Sequence, residues 1–390
     1  MYLFALFLVL YEFTTYAAND MIMPGMIDVV HYFRTQTFYV AYSMNAYILG
    51  QTVFILMAGF LSERYGKRRI LLSGNFLFLL FTVVIIFSQN IHQFVLWRFL
   101  QGTGLAIIAI GYALIHQNFN DKDAIKLIAL MGNVSILAPL IGPALGSLIV
   151  SYSSWQAIFM VTAALASIAL VGLYFFIPQD SALKSPLNLS QAIKQYGAIF
   201  INKKFFLGAM SASAIILPLL IWISQAPNLI LYKLQLNYFH YALYQLISIG
   251  GLSLASILMQ FIAGRYSIYS IVKVSNFLLL IGLSIALIGS HSINWVTFGL
   301  LMYAFGMGLA NGCIWRIIVT IKPFSATTLS SMFVFIQSVM FVLGIALANQ
   351  FMNRYHFELW SFSVSIFLFG FIGFILLSIY ISDYRNRKWL

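Results

Sequence analysis

The sequence predicts an all-α membrane protein of twelve transmembrane helices in two six-helix lobes, and three observations predict it. First, 62% of the 390 residues are hydrophobic and only 8% are charged, which leaves too little polar surface to enclose a soluble domain. Second, apolar stretches of about 20 residues recur along the whole chain, the length a helix needs to cross roughly 30 Å of hydrocarbon. Barrel strands would be shorter and would alternate in polarity. Third, a polar segment interrupts this pattern midway, with six stretches on either side of it.

In order, the first six spans fall near residues 3–24, 39–60, 69–88, 94–115, 125–149 and 155–177. Residues 1–20 lack a basic opening and a small-residue cleavage site, so the first span is expected to stay in the product and not to act as a signal peptide. The polar segment from Pro178 to Lys204, with Asp180, Lys184, Pro186 and Lys194, reads as a cytoplasmic linker over 179–204 between lobes 1–178 and 205–390. The second six spans fall near 205–226, 242–263, 271–289, 294–315, 326–350 and 360–381. A faint internal echo supports the halving: "AGFLSERYGKRRILLSGNFLFLL" follows span 2 and "AGRYSIYSIVKVSNFLLLIGL" follows span 8. Cys313 has no second cysteine for an intramolecular disulfide.

Basic residues set the orientation, because positive charge in short loops is retained in the cytoplasm. With both termini inside, 17 of the 21 basic residues are cytoplasmic, Arg34, Lys233 and Arg354 lie outside, and Arg98 falls within a span. Topology thus accounts for the net charge of +12, and no nucleic-acid partner is required. Trp97, Trp155, Trp295 and Trp360 stand at the outer starts of even-numbered spans, where an amphipathic ring prefers the interface. Twelve spans split six and six is the layout of a secondary transporter whose central site opens alternately to each side.

Several stretches carry a family resemblance. "GFLSERYGKRR" (59–69) resembles the loop signature between spans 2 and 3 of the major facilitator superfamily, and "RFLQGTGLA" (98–106) resembles its buried-arginine motif. "APLIGPALG" (138–146) is similar to the Gly-Pro motif of the superfamily's drug exporters. "YEFTTYAANDMIMPGM" and "LPLLIWISQAP" (217–227) resemble spans 1 and 7 of its MdfA-type multidrug/proton antiporters. The resemblance implies the major facilitator fold, proton-coupled export, and a central-cavity place for Arg98. In physical terms, Gly59 and Gly66 would permit close approach and a tight turn. Glu63 would pair with Arg64 or a neighbouring base, Arg68 among them, and brace an inner gate. Gly142, Pro143 and Gly146 remove bulk and a backbone donor, predicting a bend and a close helix contact.

Ionisable groups inside a membrane carry the most information, since each costs about 2.5–3.5 kcal/mol at a helix centre on insertion scales. Of nine acidic residues, Asp28, Glu63, Asp121, Asp123, Asp180, Glu358 and Asp383 fall in loops or at span ends. Glu12 and Asp20 remain. Eight residues apart, they lie about 12 Å along one helix and form, with Tyr16 and Asn19, a polar stripe. Burial and a nearby guanidinium act in opposite senses on a carboxylate's affinity for a proton, so a coupled Glu12/Asp20 pair is expected to titrate against substrate. Matching motifs imply a pocket of Tyr16, Asn19, Asp20, Met44, Arg98, Gln101, Leu220 and Trp222, with Met44 an adaptable thioether.

The expected function is efflux of lipophilic small molecules against protons by alternating access in a bacterial inner membrane. The expected partners are substrate, protons and lipid, with a monomer as the working state. A dedicated exporter of an endogenous metabolite or siderophore is the alternative, and an uptake symporter a more distant one, disfavoured by "GPALG". All six histidines lie near span ends or in loops, and no metal cluster, catalytic triad or phosphate loop is legible. Neither an enzyme nor a cofactor is therefore expected. The glycines of "GMGLANG" (306–312) read as packing positions.

Overall fold

The computed structural model describes residues 2–179, 189–262, 264–324 and 326–387. The assignments made for Asp180, Lys184, Pro186 and Lys388 lie outside these residues, as do the side chains of Asp121, Lys122, Arg385 and Arg387. The described regular structure is helical. The first half holds α1 (Tyr2–Met21), α2 (Met26–Tyr32), α3 (Tyr39–Tyr65), α4 (Lys67–Ile86), α5 (Ile91–Ala106), α6 (Ile108–Asn118), α7 (Asp121–Tyr152), α8 (Trp155–Phe176) and α9 (Leu189–Ile201). The second holds α10 (Lys203–Ala226), continued by a π-helical segment Pro227–Lys233, then α11 (Tyr238–Ile262), α12 (Ile268–Ile288), α13 (Ile293–Val319), α14 (Ala326–Arg354) and α15 (Leu359–Arg387).

Among the described residues ten helical segments are long and apolar enough to cross a membrane, eleven if the two straight parts of α7 count as one span. The protein is a multi-pass membrane protein. Of the twelve spans expected, α1 is the one below this standard, and Glu12, Asn19 and Asp20 are what lower its apolarity. The fourth span is α5 and α6 in succession, broken at Ile107. That residue fills a space left by Gly74, where a Cβ would come within 2.3 Å of the Ile107 Cδ1.

The chain divides into two compact units, Met1–Ile193 and Lys194–Leu390. In the first, α1 packs on α7 and α8, α4 on α5 and α8, and α3 on α5. In the second, α10 packs on α14 and α15, α12 on α13 and α15, and α11 on α13. Counted as spans, the pairs 1–5, 1–6, 3–4, 3–6 and 2–4 recur as 7–11, 7–12, 9–10, 9–12 and 8–10, so the faint sequence echo has a counterpart in packing. Small residues set these contacts, as helices in lipid gain little from burying apolar surface. A Cβ on Gly50 of α3 would lie 1.9 Å from the Phe99 carbonyl oxygen of α5, and one on Gly102 of α5 would lie 2.0 Å from that of Tyr47.

Three expectations are corrected. The bend of α7, 45° between Lys126–Gly132 and Leu137–Tyr152, lies before Pro143. It falls one turn ahead of Pro139, whose ring opposes the carbonyl four residues earlier. Gly59 is exposed and a Cβ there would meet nothing within 4 Å, so the close approach expected of it does not occur. Trp155 is only 3% exposed; its ring stands edge-on to Tyr32, Phe94 and Phe159, an aromatic core and not an interfacial anchor. Separately from these corrections, the stretch 179–204 read as the linker between lobes carries α9, Leu189–Ile201, among its described residues. In "GMGLANG", Gly306 and Gly308 do face neighbouring helices closely, whereas Gly312 has open space around it.

Candidate functional site

Helix α1 is fixed in the first unit by two tyrosines. The Tyr11 hydroxyl donates to the Gly104 carbonyl of α5 at 2.8 Å, and the Tyr47 hydroxyl of α3 donates to the Thr15 carbonyl at 2.7 Å. Thr14 and Thr15 return their hydroxyls to carbonyls of their own helix, which lets a polar sequence remain helical in an apolar setting. The polar stripe thereby turns inward: Glu12 and Asp20 are buried, and Tyr16 is half-buried against the apolar core.

Arg98 is fully buried, and its guanidinium is shared among neighbouring helices. Its Nε donates to Ser43 Oγ of α3 at 3.2 Å, its Nη1 to the Ala18 carbonyl of α1 at 3.2 Å and to Gln101 Oε1 at 2.6 Å, and its Nη2 to Asn19 Oδ1 at 3.2 Å. The group lies 4.6 Å from the centre of the Tyr47 ring, a cation–π contact strengthened by desolvation. Gln101 passes the network on to Thr82 of α4 at 2.8 Å. Arg98 therefore sits buried among the helices of the first unit and does not snorkel outward.

Arg98 does not touch the Asp20 carboxylate. Asn19 stands between them, accepting from Arg98 with Oδ1 and donating from Nδ2 to Asp20 Oδ1 at 3.0 Å. Glu12 belongs to a separate group: its Oε1 accepts from the Tyr112 hydroxyl of α6 at 2.9 Å, and its Oε2 is buried without a partner. The single charged centre expected from sequence is thus two stations on one helix. Tyr112 is the residue sequence reasoning missed. It follows Arg98 by fourteen positions, close to four helical turns and so on nearly the same face, a spacing that could have flagged it.

The "GPALG" stretch meets the same site. A Cβ on Gly146 would lie 1.9 Å from the Met21 carbonyl oxygen, and one on Gly142 would lie 3.4 Å from Asp20 Cβ, so α7 presses its least bulky face on the end of α1 that carries Asp20. Pro143 is buried beside them. At the turn between α3 and α4, Gly66 takes φ 92°, the left-handed region that glycine enters freely. Arg64 lies over the Tyr65 ring at 5.3 Å and Arg68 donates to the Tyr174 carbonyl at 2.9 Å. Half-buried Glu63 experiences the charge of Lys67, one turn on.

Met44 is buried in α3, next to the Ser43 that binds Arg98. The remaining two pocket candidates belong to the second unit. There Leu220 is half-buried, and Trp222 is fully buried with its ring 5.5 Å from that of Phe362 and its Nε1 without a partner. One turn beyond Trp222, a buried amide chain runs from Asn228 to Gln225 at 3.2 Å and from Gln225 to Asn349 at 3.1 Å. Sequence reading passed over Gln225 and Asn228, which lie in and just after the quoted "LPLLIWISQAP". Among the described residues no group of three His, Cys, Asp or Glu could hold a metal ion.

The Major Facilitator Superfamily profile matches residues 8–345. The chain is 37% identical over 353 residues to the multidrug transporter MdfA of Yersinia pestis bv. Antiqua (strain Angola), covering 89% of this chain and 86% of that one. It is 37% identical over 354 residues to the MdfA of Escherichia coli O6:H1, with the same coverage. A crystal structure of a D-xylose–proton symporter shares the fold, with a TM-score of 0.74 at 14% identity over 96% of this chain and 97% of that one. With its paired six-span units, its buried-arginine helix and its match across most of the length, the chain belongs to the Major Facilitator Superfamily.

Proposed function

We propose that this transporter exports lipophilic small molecules across a bacterial cytoplasmic membrane in exchange for protons, by alternating access. The observation that carries the reading is the pair of buried carboxylates on α1, Glu12 and Asp20, the latter bridged by Asn19 to buried Arg98. Among the described residues these are the only buried carboxylates and Arg98 the only buried cation. Charge buried in hydrocarbon is costly, so proton binding at these carboxylates can be exchanged against the contacts that a substrate supplies. The relatives named multidrug transporters, at 37% identity, support the substrate class.

Substrate from the cytoplasm or inner leaflet binds beside Tyr16, Asn19, Asp20, Met44, Arg98 and Gln101 in the first unit; within the second unit, Leu220 and Trp222 are the candidates for apolar contact. Its binding lowers the proton affinity of Asp20 and Glu12, and by linkage protons lower the affinity for substrate. Outward opening releases the substrate. Protons from the other side then neutralise the carboxylates, which removes the cost of buried charge and favours return. Gly142, Pro143 and Gly146 let α7 slide on α1 during this change, and Gly66, Glu63, Arg64 and Arg68 hold the inner turn. Both termini are cytoplasmic, and the monomer is the working unit.

Dye efflux in everted vesicles tests the coupling. Vesicles with wild-type protein are expected to move a lipophilic cationic dye when energised with a proton gradient, and the Glu12→Gln/Asp20→Asn variant to lose that movement while remaining in the membrane at normal level. Proton-driven efflux surviving in the double variant would place the coupling elsewhere.

A further inference from the structure

A groove of about 710 Å³ runs along the membrane-facing side of the first unit between α4 and α8. Its walls are Leu72, Phe76 and Leu77 on one helix and Leu170, Val171 and Phe175 on the other, and several of these are strongly exposed, Phe175 at 71%. Leu72, Ser73, Phe76 and Leu77 recur at helical spacing on α4, so the turn before them on that face carries Arg68 and Arg69. Arg68 is placed at the groove by its bond to the carbonyl of Tyr174, itself a groove residue. That bond uses one of the five N–H donors of a guanidinium, and the others remain for a further acceptor. Arg69 is exposed.

The charge at this end is of the wrong sign for the helix alone. Lys67, Arg68 and Arg69 open α4, which has no acidic residue in its first turn and no side-chain cap. A helix N-terminus carries partial positive charge and unbonded N–H groups; Glu63 already faces the charge of Lys67, so it is Arg68 and Arg69, on the groove side, that invite an anion. The groove supplies the other half of the ligand. From Arg68 to Leu77 is about 14 Å of helix, close to the half-thickness of a hydrocarbon layer of roughly 30 Å. An anion joined to a chain that descends one leaflet matches both features.

We propose that this groove is a binding site for an anionic phospholipid, with the headgroup phosphate on Arg68 and Arg69 and an acyl chain along α4 and α8. Basic pockets between spans on the cytoplasmic side are suited to such headgroups, and the bound lipid would brace α8 against the α3–α4 turn.

The test uses delipidated full-length protein, titrated in detergent with phosphatidylglycerol or with phosphatidylcholine of the same acyl chains and read by native mass spectrometry. Wild-type protein is expected to prefer phosphatidylglycerol. R69Q, at an exposed position that leaves packing intact, is expected to lower that affinity about five-fold, and R68Q/R69Q to abolish the preference. S73F, which fills the groove without altering its charge, is expected to weaken phosphatidylglycerol binding as well. The proposal is overturned if wild-type protein binds both lipids equally, if R69Q or S73F binds phosphatidylglycerol as the wild type does, or if chainless glycerol phosphate competes as well as the lipid does.

Discussion

Asn19 separates the positive and negative charges of the site. Arg98 and Asp20 would form a direct ion pair if they touched, and such a pair holds a carboxylate ionised; with the amide between them, the two charges are coupled without being locked together. A bridge of that kind suits a carboxylate that must gain and lose a proton in each cycle. Asn19→Ala leaves an Arg98 donor and an Asp20 acceptor without this partner, at a cost of about 1–3 kcal/mol. It is expected to lower the unfolding temperature in detergent and to reduce the proton release that follows addition of a lipophilic cation. Wild-type values for both would mean that the bridge is incidental. Sequence placed Glu12, Asp20 and Arg98 in the membrane because charge there is rare, but it could not show the division into two stations. That division depends on Tyr112 and Asn19, neutral residues of a kind common throughout the chain.

At the scale of helices, hydropathy located the spans but not their irregularities or partners. The break at Ile107, the π-helical Pro227–Lys233 and the short α2 leave apolarity unchanged, so a window average passes over them. Partners were partly legible: glycines mark where backbones approach, yet Gly59 and Gly146 look alike in sequence and differ entirely in surroundings. Three substitutions separate them. Gly146→Ala forces a Cβ to 1.9 Å from the Met21 carbonyl oxygen, a backbone atom that moves only with its helix. It is expected to cost at least the 1–3 kcal/mol typical of overpacking, about the range for a buried clash, and to displace the Asp20 end of α1. Gly142→Ala, with 3.4 Å to Asp20 Cβ, should be mild, and Gly59→Ala, with nothing within 4 Å, close to neutral. Thermal unfolding of the three variants checks the order, and equal losses at all three positions would refute this account of α1–α7 packing.

For the molecule as a whole, the decisive quantity is orientation, because the direction of export and the leaflet of the lipid site both follow from it. The repeated pairing of spans in the two units is independent of which face meets the cytoplasm; the basic residues carry that information. Seventeen are assigned inside against three outside, and retention of positive loops in the cytoplasm is a bias in insertion that no folded contact enforces. Labelling can therefore decide it cleanly. In a Cys313→Ser background, single cysteines replacing Arg354 or His291 are expected to react in intact cells with a thiol reagent that cannot cross the membrane. Cysteines replacing Arg69 or Arg265 should react only after permeabilisation. Arg69 samples the first unit and Arg265, His291 and Arg354 the second, so a reversed pattern in the second alone would reveal an odd number of crossings between Arg69 and Arg265, and reversal in all four would turn export into uptake and move the proposed lipid site to the opposite leaflet.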